Sequence, residues 1–221
     1  MRIRVSGKYA CFTRPELKME RMTYDVITAS AARGILESIY CHPGVFWHVH
    51  KIYVEKPIQY TSFMRNEIKD KIKCANVLNV MQDKKSMNEL YIDRSENICQ
   101  RNTTCLYDVQ YVIEANFELR KEAKEKGLTD DKVYAIFKDR ARKGKCFNQP
   151  YFGCREFPVS FKWMDYEDKP KPIDLTQDLG IMLYDMSYIH EGNKNNDIMP
   201  IFKHVRIENG VVDYDKGDEL L

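Results

Sequence analysis

Most sequence signatures of enzyme chemistry are missing from this chain. There is no CxxC or HExxH spacing, the usual announcement of a zinc site. Nor is there a glycine fingerprint for a nucleotide or a nucleophile elbow. No uncharged run approaches the length of a membrane span, and there are no internal repeats or low-complexity tracts. Neither sign of charge dominates: 35 Lys and Arg stand against 33 Asp and Glu, a net +2. Any polyanion site must therefore be local. Seven cysteines, an odd number, argue against a disulfide framework. The opening MRIRVSGKYACF runs straight into strand-like alternation, with no charged segment ahead of an apolar core, so the expected compartment is a reducing cytoplasm. What is present is ordinary: 43% hydrophobic and 31% charged residues over 221 positions, enough for one large or two small globular domains.

The most informative stretch is Thr129 to Phe157. Thr129 suits an N-cap, and Asp130 and Asp131 occupy a first turn where the helix dipole favours negative charge. Val133, Ile136, Phe137 and Ala141 recur at helical spacing and predict a buried stripe. Lys138, Arg140, Arg142 and Lys143 crowd the far end, Gly144 is placed to stop the helix, and Lys145, Asn148 and Gln149 lead into strand-like Tyr151-Phe152. A cationic helix end feeding an aromatic and polar loop suits a phosphodiester backbone. It equally suits a solvated helix terminus with complementary charge.

Along the rest of the chain, Arg2 to Phe12 reads as an opening strand and residues 13–27 as a long loop. Thr28 starts a helix with Ala32, Ile35, Leu36 and Ile39 on one face; Gly34 inside it either weakens the helix or marks close packing against a strand. That helix ends at Tyr40-Cys41-His42-Pro43-Gly44. Val45 to Tyr60 predicts a long strand broken at Pro57. The following SFMRNEIKDKIK is a mixed-charge segment without a clear pattern, and 81–105 reads as polar and irregular. Tyr107 to Leu119 alternates cleanly as a strand. The resulting order of strand, helix, strand, strand, helix, strand is that of the ferredoxin-like fold, which RNA-recognition modules use. A charged linker with two prolines follows Met164. Beyond it, Leu179–Ile189 and Ile201–Tyr214, with Asn209-Gly210 as a hairpin turn, predict a small antiparallel sheet. The expected class is α+β: a ferredoxin-like, RRM-like N-terminal domain over 1–164 and a small C-terminal antiparallel β domain over 165–221.

His48 and His50, on one face of a strand, are ordinary strand histidines rather than a metal site, and Cys146 and Cys154 are expected as buried packing thiols. Tyr, Lys and His remain as acid–base groups. RNA brings its own nucleophile, the 2′-OH, so a metal-free ribonuclease needs a proton acceptor, a donor to the leaving 5′ oxygen and a cation for the developing charge.

RVSGKYACFTRPE, AARGILESIY, SFMRNEIK, GKCFNQPYFGCREF and LGIMLYDM, in this order, resemble the family-five CRISPR-associated proteins of type I-C systems (the Dvulg subtype) in the RAMP superfamily. The similarity covers almost the whole chain. It implies a ferredoxin-like domain whose glycine-rich loop is Lys143 to Gly153, then a small β domain. It also implies cleavage of CRISPR repeat RNA without metal or other cofactor, leaving a 2′,3′-cyclic phosphate. The product crRNA is then retained by its 5′ handle within the type I-C interference complex. The implied partners are repeat RNA, mature crRNA and the other subunits of that complex, with double-stranded DNA as a further candidate and no membrane. Matching the family's catalytic positions assigns Tyr40 as proton relay and Lys132 as cation, while Val133 stands where the family has histidine. His42 is a candidate stand-in for that imidazole. Arg140, Arg142, Lys143, Gly144 and Lys145 are the expected phosphate-holding set, and Arg65 and Lys69 a second RNA path. A non-catalytic subunit that only binds the crRNA handle would use the same surface.

Overall fold

The computed structural model describes residues 1–69, 74–82, 84, 96–188, 198–216 and 219–220. Its elements are β1 (Arg2–Ala10), β2 (Arg21–Met22), α1 (Ala29–Ile39), β3 (Val45–Val54), β4 (Tyr60–Ile68), α2 (Cys74–Met81), β5 (Ile98–Leu119), α3 (Lys121–Glu125), α4 (Asp130–Lys143), β6 (Ser160–Met164), β7 (Gln177–Tyr188), β8 (Ile198–Glu208), β9 (Val211–Asp213) and β10 (Glu219–Leu220). The chain is thus α+β, with a large, mostly antiparallel sheet and few helices. Strand order runs β10-β8-β9-β3-β5-β1-β6, with β2 and β4 also on β5 and β7 on β8.

The 22-residue β5 organises the sheet. Its first half pairs with β4 from Ile68↔Ile98 to Tyr60↔Leu106. Its second half runs between β1 (Val5↔Tyr111) and β3 (Ile52↔Ile113). Tyr111, Val112, Ile113 and Ala115 are buried in succession, as a central strand covered on both faces requires.

Both long helices begin on threonine caps. Thr28 Oγ1 accepts from the Ala31 amide at 3.2 Å and Thr129 Oγ1 from the Lys132 amide at 3.3 Å. Helix α4 buries Val133, Phe137 and Ala141, leaves Ile136 half-buried, and ends on Gly144 at φ 64°, a left-handed conformation that glycine adopts without strain. Phe137 packs 4.7 Å from Trp47 of β3 and 6.3 Å from Trp163 of β6, so α4 lies across β3 and β6. Truncating Phe137 to alanine would cost about 3–5 kcal/mol.

Several expectations change. SFMRNEI is not patternless but lies in β4, and 98–105 is not irregular but opens β5. Side chains of β4 alternate exposed and half-buried, the pattern of a strand covered on one face. Within 13–27 sit a 3₁₀ turn (Pro15–Leu17) and β2. Tyr151-Phe152 forms only an isolated bridge, Tyr151 to Pro158; the strand starts later, at Ser160. Gly34 does not mark close packing, because a Cβ built on it meets nothing within 4 Å. Asn209 (φ 49°) and Gly210 (φ 74°) form the expected hairpin turn between β8 and β9. β9 also pairs with β3, so the C-terminal strands continue the main sheet. Lys71, Lys73, most of 83–95 and Ile189 lie outside the described residues.

Candidate functional site

Tyr40 caps the C-terminus of α1, its amide donating to the Leu36 carbonyl at 3.0 Å. The ring is 8% exposed and sits between two partners. His42 stacks on it (centroids 6.3 Å, 15° between planes), and the Arg140 guanidinium lies 5.6 Å from its centroid. Arg140 also donates to the Ile39 carbonyl at 2.9 Å, which ties the end of α4 to the end of α1. The Tyr40 hydroxyl has no hydrogen-bond partner among the described residues, yet it is not one of the buried unsatisfied atoms, so it reaches solvent. His42 Nδ1 accepts from the Gly44 amide at 3.0 Å. That bond requires the tautomer with its proton on Nε2 and holds the ring flat against Tyr40.

The glycine-rich loop docks on this helix end. The amides of Phe147 and Asn148 donate to the Ser38 carbonyl at 2.8 and 3.1 Å, and the Cys11 amide donates to the Phe152 carbonyl at 3.1 Å. Gly153, at φ 76°, lies so close to β1 that a Cβ there would come 1.9 Å from the Cys11 carbonyl oxygen. Phe152 is buried, whereas Phe147 and Tyr151 show their rings to solvent.

The sequence-derived site residues separate into groups. Tyr40 and Arg140 touch. Lys132 is exposed in the first turn of α4, eight residues before Arg140 and so about 12 Å away along the helix axis. Among the described residues no hydrogen bond or ring contact joins Lys132 to Tyr40. Val133 is fully buried beneath it. Arg142 pairs with Asp165 and Lys143 with Asp139, both at 2.6 Å. Lys145 is exposed and has no carboxylate partner among the described residues. Arg65 is held between Glu67 (2.9 Å) and Glu156, linking β4 to the loop, and Lys69 donates to the Glu96 carbonyl at 2.9 Å.

Sequence reasoning missed Arg155, an exposed loop cation without a partner among the described residues. It adjoins Glu156, and charge alternation hides it. Reasoning from sequence also took Cys146 for a buried thiol, but it is half-buried. Cys154 is buried, with its sulfur 3.5 Å from an Arg21 guanidinium nitrogen. Hydrogen bonding from Cys11 pulls the Cys154 thiol below its usual range, Arg21 assisting against burial, while the Cys11 thiol is raised. His48 and His50 each face a carboxylate, Glu118 at 3.5 Å and Asp215 at 2.8 Å. No group of three or more metal-ligating side chains occurs among the described residues.

Fold and site together define a class: an α+β protein whose large antiparallel sheet carries the loop 144–153 against an aromatic, cationic helix end. A solved structure of a CRISPR-associated protein has this fold (TM-score 0.68, 22% identity, covering 98% of this chain and 93% of that one). So has a functionally uncharacterized protein from Streptococcus mutans (TM-score 0.66, 20% identity, covering 96% and 90%). The model of the CRISPR-associated protein family Cas5 matches residues 1–215. The chain is 43% identical to the CRISPR pre-crRNA endoribonuclease Cas5d of Mannheimia succiniciproducens (96% of this chain, 93% of that protein) and 32% identical to the protein of the same name from Thermus thermophilus (95% and 89%). The chain belongs to the Cas5d branch of the family-five CRISPR-associated proteins, the type I-C branch. No helix among the described residues is long and apolar enough to cross a membrane.

Proposed function

We propose that this protein is a CRISPR repeat RNA endoribonuclease. It cuts without metal by attack of the 2′-OH, leaves a 2′,3′-cyclic phosphate, and holds the crRNA 5′ handle within the type I-C interference complex. The observation that carries this is 43% and 32% identity, over nearly the whole chain, with two proteins named as pre-crRNA endoribonucleases. Tyr40, its hydroxyl open to solvent beside His42 and Arg140, positions or relays the proton; Lys132 supplies charge to the developing phosphorane; the Lys145 side chain holds phosphate. The order β3-β5-β1-β6, with α1 and α4 as the two crossover helices, supports a ferredoxin-like N-terminal domain. The helix- and strand-free run 165–176 supports a boundary near residue 164. A cytoplasmic location goes with this role.

A second role, a handle-binding subunit with little or no cutting activity, is favoured by one observation: Val133 is buried at the position where the family has histidine. Cleavage separates the two. Incubation of the protein with its cognate repeat hairpin in EDTA is expected to give a single cut with a cyclic phosphate end. No product at enzyme excess would overturn the nuclease and leave the binding subunit.

A further inference from the structure

Between the glycine-rich loop and α1 lies a cavity of about 380 Å³ that nothing in the catalytic scheme uses. Its walls include Thr13, Ser30, Gly34, Ser38, Tyr151 and Leu183. No lysine, arginine, histidine or carboxylate lines it. An uncharged lining cannot neutralise a phosphate, but its hydroxyls can accept from a neutral heteroaromatic ring. Ser38 Oγ donates to the Gly34 carbonyl at 2.7 Å, Ser30 Oγ lies 3.2 Å from Thr28 Oγ1 and Thr13 Oγ1 lies 3.5 Å from Cys11 Sγ, and each oxygen keeps a lone pair.

Two further observations bear on what enters. Gly34 sits in the interior of α1, where glycine destabilises a helix relative to alanine. Its φ is an ordinary helical one, and apart from its own helix backbone no atom of the described residues lies within 4 Å of the Cβ it lacks. Neither backbone conformation nor packing requires glycine here, and its bare face opens on the cavity. Across the mouth stands Tyr151, an exposed ring on a loop whose neighbours Phe152 and Gly153 are locked to β1. An aromatic face held in place opposite an open helix surface is a platform for stacking one base.

We infer that this cavity receives a single unstacked nucleobase of the bound RNA, with the base against Gly34 and Tyr151 and its edge on the hydroxyls of Thr13, Ser30 and Ser38. The adjoining phosphates run outside, past Lys145 and Arg155. This rests on the RNA-binding role proposed above. It adds a recognition point that does not depend on charge.

The test uses the full-length protein and its cognate repeat RNA carrying 2-aminopurine at one position at a time. One position, and only one, is expected to change fluorescence on binding in a way that Gly34→Phe and Tyr151→Ala both abolish. Binding should weaken with side-chain size at 34: slightly for Gly34→Ala, about tenfold or more for Gly34→Phe. The melting temperature should rise for Gly34→Ala, since the substitution improves the helix without touching a neighbour. Should Gly34→Phe fail to fold, Tyr151→Ala, whose ring lies outside the core, carries the test. Unaltered affinity and fluorescence in both variants would overturn the base pocket while leaving the RNA-binding role intact. Failure of the unmodified protein to bind the repeat would instead overturn the role itself.

Discussion

The Arg140 guanidinium covers the Tyr40 ring at 5.6 Å and donates to the Ile39 carbonyl at 2.9 Å, so a single side chain fastens α4 to the end of α1. Lysine cannot reproduce both contacts, since stacking and the fixed donor geometry belong to the planar guanidinium. Arg140→Lys should destabilise the fold by about 1 kcal/mol and Arg140→Ala by about 2 kcal/mol in urea titrations. Single-turnover cleavage should fall at least tenfold in both variants, because the Tyr40 hydroxyl loses its fixed position. Wild-type cleavage by Arg140→Ala would show that Tyr40 needs no such support.

Lys132 is exposed and, among the described residues, its side chain makes no hydrogen bond or ion pair, which makes it a clean probe of charge. Lys132→Ala should leave stability within about 0.5 kcal/mol and reduce cleavage about 100-fold with repeat binding unchanged. Tyr40→Phe should show the same separation of cutting from binding. Val133→His should not raise cleavage above wild type, because the side chain at 133 is fully buried and an imidazole there would cost about 2 kcal/mol of stability. A more active and equally stable Val133→His would mean that α4 rotates on binding RNA.

The caps, the α4 stripe, the Gly144 stop and the Asn209-Gly210 turn were all legible in the sequence, because each depends on residues a few positions apart. The first halves of the β4–β5 pair were not. Arg65 and Glu67 on β4, and Arg101 on β5, look like scattered surface charge until pairing brings them together, Arg101 lying 3.5 Å from Glu67. Local charge density likewise pointed to Arg142 and Lys143 as phosphate ligands, but each already faces a carboxylate. Which lysine lacks a partner is a property of tertiary contacts, and no window of sequence contains it.

That difference predicts a ranking in salt dependence. A half-exposed ion pair contributes at most about 1 kcal/mol, so phosphate can displace Asp165 or Asp139, but the displaced carboxylate stays nearby and opposes it. Among the described residues Arg155 has no such ion pair, and Lys145 feels Asp139 only at longer range, so both meet phosphate with less competition. Lys145→Ala and Arg155→Ala should each flatten the slope of log K against log salt by about 0.7 for single-stranded repeat RNA. Arg142→Ala and Lys143→Ala should change it by less. Slopes unchanged from wild type in all four variants would place the RNA backbone on another face, with Lys69, just past the end of β4, the next to probe.

Glu55 joins three segments through one carboxylate whose side chain is only 2% exposed. It takes two bonds from Arg4 at 2.7 and 2.9 Å, one from Gln110 at 2.8 Å, and one from the Lys171 amide at 3.0 Å. Burial by itself would raise its pKa, but Arg4 and the two amide donors outweigh burial and hold it below the ordinary carboxylate value. A depressed folded pKa contributes stability that is complete above the unfolded value of about 4.3 and is lost as pH falls through the folded value. In Arg4→Met the carboxylate keeps its burial and loses its charged partner, so its folded pKa moves up. The variant should be about 3 kcal/mol less stable than wild type at pH 7, and the gap should narrow as pH falls toward 3, because Glu55 takes up its proton more readily in the variant than in the wild type. Urea titrations at the two pH values check this. A gap of equal size at both would mean that Arg4 acts through packing of its stem against β6 rather than through the Glu55 charge.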